Sequence, residues 1–128
     1  MRGNNDVFVV AVVLNYRTGI KAIKAVKSLL TVQGVSKVIL IDNDVSRDET
    51  LSSDLDEEVE YVLSGENLGY AQGNNFGIKY ALDRYDLTHI LIVNSDIEVC
   101  EGQDLDSLLS LLSNIPDCGI VVPMINEK

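Results

Sequence analysis

The sequence predicts an α/β domain built on an open, mostly parallel sheet with flanking helices, a Rossmann-like arrangement. Three observations carry this expectation. The runs at residues 7–14, 37–41 and 89–93 are continuously apolar and rich in Val, Ile and Leu, as strands covered on both faces are. Between them stand segments with apolar residues at helical spacing, or a glycine-rich turn leading into a helix. Strand and helix patterns alternate as βαβ(α)βαβαβ without an internal repeat, which favours parallel pairing through right-handed crossovers.

Residues 7–14 form the first strand, running into Asn15 and Tyr16. After Arg17, Thr18 and Gly19, the residues Ile20, Ile23, Val26, Leu29 and Leu30 fall on one helical stripe, and Gly34 closes that helix. Residues 37–41 form the second strand, ending at Asp42. From Asp42 to Glu60 the chain is rich in Asp, Glu and Ser, with only Val45, Leu51, Leu55 and Val59 to bury, so a short exposed helix or loop is expected. Asp42, Asp44 and Ser46 imitate the start of a calcium loop. Arg47 stands where that loop needs glycine, however, and Ser53 where it needs a bidentate Glu, so a solvated face is the better reading.

Residues 59–63 alternate enough to lie near a sheet edge. Gly65, Gly69, Gly73 and Gly77 then recur every fourth residue, among Glu66, Gln72 and asparagines that exclude a lipid setting. A tight loop running into a helix through Leu82 is expected, with small residues allowing close backbone approach. Residues 89–93 give a fourth, buried strand that stops at Asn94-Ser95-Asp96. Leu105, Leu108, Leu109 and Leu112 face inward from a helix broken at residues 114–117, and residues 119–123 supply a last short strand.

The 128 residues are sized for a single domain. A formal net charge of -10 without any dense Lys/Arg cluster repels nucleic-acid backbones and anionic bilayers, so no nucleic-acid partner is expected. Any phosphorylated ligand has to be held by backbone N–H groups, a helix N-terminus or a divalent cation. Cys100 and Cys118 have neither zinc-site spacing nor a disulfide framework and read as reduced thiols. The longest apolar run falls far short of the ~20 residues that span a bilayer, and it lacks a signal peptide's flanks. A cytoplasmic protein without a transmembrane segment is expected, with peripheral membrane association left open.

In open α/β sheets, ligands collect at the carboxyl ends of the strands. The polar residues obey that rule: Asn15 and Tyr16 follow the first strand, Asp42 and Asn43 the second, Asn67 and Gly69 the third, and Asp96 the fourth. There is no Walker sequence, and no GxGxxG after the first strand. A strand-end carboxylate can instead hold Mg²⁺ or Mn²⁺, which bridges a diphosphate, and Asp96 is the candidate ligand. Each residue also has a plainer reading. Asp96 and Asp42 serve as caps or turn residues, Asn43 and Asp44 as turn formers, Tyr16 as a rim aromatic, and Arg17 as a solvated loop residue. Gly69 and Gly73 serve tight backbone geometry, and His89 is a satisfied structural histidine.

Taken in order, Leu14-Asn15-Tyr16, Ile41-Asp42-Asn43, the run from Asn67 through Gly69, Gly73, Asn74 and Asn75 to Gly77, and Asn94-Ser95-Asp96 resemble the family 2 glycosyltransferases of the GT-A fold. They are most like the rhamnosyltransferase-type branch. The resemblance implies a donor-binding domain over residues 1–128 that takes a UDP- or dTDP-linked nucleotide-diphosphate sugar for inverting transfer to a sugar or glycan acceptor. It implies that Asn15 and Tyr16 pack on the nucleobase and that Asp42 bonds the base or ribose. Asn67, Gly69, Gly73 and Asn74 line the donor pocket, with Asn94 beside them. Asp96 is then the metal ligand of the DXD-type motif, with Asn94 in place of its first Asp.

The resemblance also implies an acceptor-binding half and a general base beyond Lys128, so that this portion is expected to lack turnover. Apolar surface facing that half leaves a homodimer open. Two other readings compete: a receiver-like interaction module with acidic strand ends, and a non-catalytic nucleotide-binding descendant of the transferase fold.

Overall fold

The computed structural model describes residues 6–55, 57–100 and 102–123. Along them run β1 (Val9–Asn15), α1 (Ile20–Leu30), β2 (Val35–Asp42), α2 (Glu49–Ser53), β3 (Val59–Leu63), α3 (Tyr70–Arg84), β4 (His89–Asn94) and α4 (Asp106–Asn114). The strands pair in parallel as one four-stranded sheet in the order β3-β2-β1-β4. This is the expected α/β class, and β3 lies at an edge as its alternation implied.

Because side chains alternate across a strand, the apolar runs of β1 and β2 feed two cores at once. Ala11 and Val13 join Val38 and Leu40 against Ala22, Val26 and Leu29 of α1. Val10 and Val12 join Ile39 and Ile41 against Ala81, with Phe76 and Tyr80 of α3 packed alongside. Each Val, Leu or Ile among them, taken fully out of water, contributes about 1.5–3 kcal/mol. A smaller cluster of Val9, Val32 and Leu105 seats α4, whose Leu108 and Leu109 pack on it.

Helix α3 owes its position to its glycines. A Cβ on Gly77 would stand 2.5 Å from Val12 Cγ1 and 3.0 Å from Ile41 Cγ1, and one on Gly73 would stand 2.7 Å from Leu14 Cδ1. The bare backbone therefore lies directly on β1 and β2. That contact carries the N-terminus of α3 to the carboxyl end of β1.

Four expectations need correction. Residues 119–123 form no strand: Ile120 is 84% exposed and Val122 75%. A strand exists by sharing hydrogen bonds with a neighbour, and among the described residues this segment has none in the sheet. Strand β4 is less buried than its Ile-Leu-Ile-Val run implied, because it is the other edge and Ile92 is left exposed. Ile20 is likewise exposed and leaves the buried stripe of α1. Gly34 does not cap α1, which ends at Leu30 with the Thr31 N–H donating to the Ser28 carbonyl and the Val32 N–H to that of Leu29. Its φ of 100° instead makes the turn into β2, beneath Leu105. Among the described residues, no helix is long and apolar enough to cross a membrane.

Candidate functional site

Parallel register aligns the strand ends. Asn15 stands beside Asp42, and Leu14 beside Asn94. Over this edge opens a cleft of about 450 Å³. Leu14, Tyr16, Thr18 and Lys21 enter it from the end of β1 and the start of α1. Asn43, Asn67, Gly69 and Tyr70 enter from the end of β2 and the start of α3, and Asn94, Ser95 and Asp96 from the end of β4. Two helix N-termini thus meet at the cleft, where the positive ends of their dipoles favour an anion; in α1 the Lys21 and Ala22 N–H groups already donate to the Thr18 and Gly19 carbonyls. A second hollow of about 260 Å³, around Leu30, Val35 and Glu58, lies at the opposite end of β2.

Beneath the cleft a buried polar layer fixes the loops. Asn15 Nδ2 donates to Asp42 Oδ1 at 3.3 Å, while Asn15 Oδ1 accepts from the Thr18 backbone at 3.1 Å and from the Thr18 hydroxyl. The other Asp42 oxygen accepts from the Tyr61 hydroxyl, which in turn accepts from the Asp48 N–H at 3.1 Å. Burial first, and then the bond to Asp42, pushes the Tyr61 phenol up to about 12. Asn43 governs the next loop: its Nδ2 donates to Gly69 O at 3.2 Å, and its Oδ1 accepts from Leu68 N–H and the Ser64 hydroxyl, both at 3.1 Å. Gly69, at φ 80°, then turns the chain into α3.

Arg17 keeps its charge outside this layer. Its guanidinium bonds Asp44 at 3.0 Å and lies 5.0 Å over the Tyr16 ring. The bond from Arg17 holds the Asp44 carboxyl below its usual range, with help from the Val45 N–H. On the far side of the cleft, the Tyr70 hydroxyl donates to Asn94 Oδ1 at 2.9 Å and ties α3 to β4.

Of the residues expected at the site, Tyr16, Asn67, Gly69, Asn94 and Asp96 line the cleft together. Asn15 and Asp42 do not. They are 1% and 2% exposed and lie in the polar layer below. Gly73 is buried against Leu14 and Asn43. Asn74 is buried one turn beyond Tyr70, and its Oδ1 accepts no hydrogen bond. Thr18, Lys21, Tyr70 and Ser95 were missed, and Asn43, placed at the end of the second strand, was weighed as a turn former ahead of a ligand. Their signal was position: each adjoins a strand end or opens a helix.

The chain is 33% identical over 103 residues to the low-salt glycan biosynthesis hexosyltransferase Agl10 of Haloferax volcanii. Its likeness is to a glycosyltransferase. The matched stretch is 78% of this chain and 31% of the hexosyltransferase, so the chain spans about a third of that relative's length. No family model matches. The likeness is to a hexosyltransferase and is silent on the rhamnosyl branch.

The donor set sets limits on a metal. Among the described residues, no group of three or more His, Cys, Asp or Glu side chains could hold an ion. Asp96 is the carboxylate among the cleft-lining residues, and it is exposed. Mg²⁺ is commonly bound through one or two carboxylates, with water and substrate phosphates completing its shell. Asp96 therefore suits a cation shared with a diphosphate and not one caged by protein.

Proposed function

We propose that this portion binds the nucleotide-diphosphate sugar of an inverting, family 2-type glycosyltransferase, with a sugar or glycan hydroxyl as the acceptor. The observation that carries the reading is the cleft at the carboxyl ends of the strands, where Asp96, Tyr16 and the starts of α1 and α3 share one space. The hexosyltransferase likeness supports it independently.

In this reading the Tyr16 ring, backed by Arg17, stacks on the base. Asn43 holds the loop through Asn67 and Gly69, so that N–H groups opening α3 face the phosphates. Asp96 holds Mg²⁺ or Mn²⁺, which when bound neutralises charge on the departing diphosphate. With Asp96 so occupied, deprotonating the acceptor falls to a base outside the described cleft residues. A receiver-like module is less well supported. Asp42 is buried, with both carboxylate oxygens already hydrogen-bonded, and offers no accessible phosphoacceptor.

Calorimetry with UDP and dTDP tests the reading. At least one should bind more tightly with Mn²⁺ than with EDTA, by about tenfold or about 1.4 kcal/mol, and Asp96→Ala should erase that difference. Absence of binding by either nucleotide under both conditions would overturn the donor assignment.

A further inference from the structure

We infer that Lys21 is a metal-independent anchor for the diphosphate, so that the cleft divides the ligand's charge between a fixed ammonium and a cation on Asp96. The inference rests on the donor-binding reading and adds to it a recognition element on α1.

Charge makes Lys21 stand out. The chain has 10 Lys and Arg against 20 Asp and Glu, and Lys21 is the cationic residue among those lining the cleft. Arg17 is close in sequence, but its guanidinium is engaged by Asp44 at 3.0 Å and lies over Tyr16. Arg47 and Arg84 likewise face carboxylates, those of Glu49 and Glu60, and the rings of Tyr61 and Tyr80. Lys21 is exposed in the cleft and enters no ion pair among the described residues.

Its place in the helix sharpens the point. Lys21 lies in the first turn of α1, which has no acidic residue and no side-chain cap. A cation there opposes the helix macrodipole, and acidic or capping residues usually stand at such positions. A local rule broken without an internal compensation is expected where a ligand supplies it. An anion in the cleft would meet the ammonium and the positive end of the helix dipole together. Lysine serves phosphate as a mobile point charge, which suits a diphosphate whose metal is held by a single carboxylate.

The test is calorimetry of UDP, uridine and inorganic pyrophosphate on this chain, in EDTA and in Mn²⁺, with wild type, Lys21→Met and Lys21→Arg. Wild type should bind UDP and pyrophosphate measurably in EDTA. Lys21→Met should weaken both by on the order of tenfold at low salt, with the loss shrinking as ionic strength rises. Uridine binding and the Mn²⁺-dependent gain for UDP should be unchanged, and Lys21→Arg should retain most of the affinity. Because Lys21 is exposed and its charge opposes the helix macrodipole, neither variant should lower the unfolding midpoint.

If wild type binds UDP only with Mn²⁺, or Lys21→Met matches wild type in EDTA, the Lys21 anchor is overturned while donor binding stands. If wild type binds neither UDP nor, with dTDP and thymidine substituted in the same titrations, dTDP under either condition, donor binding and the anchor fall together.

Discussion

Asn74 and Asp42 both read as donor-binding groups, and the structure sets them in different surroundings. Asp42 is fully engaged by Asn15 and Tyr61 below the cleft, so its carboxylate ties strand ends together. Asn74 is buried with an orphan acceptor, and a desolvated carbonyl without a partner costs about 1–3 kcal/mol. A donor group that reached it would supply the missing bond. Asn74→Leu, close to isosteric, is therefore expected to raise unfolding stability by about 1 kcal/mol in urea titrations while weakening donor binding in calorimetry. A purely structural asparagine would show no such opposition of signs. Burial at this resolution was invisible in the sequence, because Asn67 and Asn74 are the same residue type in the same glycine-rich run.

Among the elements, α3 departs furthest from an ordinary amphipathic helix. Its contact face is Gly73, Gly77 and Ala81, so close approach substitutes for large apolar side chains. In a solvent-exposed helix, Gly to Ala gains about 0.8–1 kcal/mol of propensity. At Gly77 the added methyl meets Val12 and Ile41, and overpacking of that kind costs about 1–3 kcal/mol. Gly77→Ala is expected to lower the urea midpoint and to displace the α3 N-terminus enough to weaken UDP binding. The fourfold glycine spacing made this close approach legible before any coordinates. Edge placement was legible for β3, whose residues alternate, but not for β4: β4 and β2 have similar apolar runs, and only pairing order leaves Ile92 in water.

The molecule as a whole is framed by ionisable groups that pin β3 to its neighbours. Glu60 accepts from the hydroxyls of Tyr80 and Tyr85 and faces Arg84. Burial pushes its carboxyl up, but those donors and the nearby cations outweigh it and hold it below the usual range. Burial, and then the bond to Glu60, pushes the Tyr85 phenol up to about 12, as happens at Tyr61 through Asp42. The signs follow from linkage. A raised phenol contributes stability that is fully present below its unfolded value near 10 and is lost as pH climbs through about 12. The depressed Glu60 contributes stability present above its unfolded value of about 4.3 and lost as pH falls through its folded value. Thermal melts across pH should show a plateau between those limits, and Tyr61→Phe should reduce the alkaline decline. With a net charge of -10, added salt should also raise the melting temperature by screening self-repulsion.

The sequence by itself determined the α/β class, the parallel strands, the glycine contact of α3 and the end of the sheet where polar groups gather. These follow from hydrophobic period, β-branching and small-residue spacing, which are local properties of the chain. Only tertiary structure decided that Asn15 and Asp42 lie under the cleft, that Tyr70 and Lys21 enter it, that β4 is an edge, and that residues 119–123 find no strand partner among the described residues. Burial and pairing depend on which distant segments arrive beside a residue, and no single stretch of sequence contains that information.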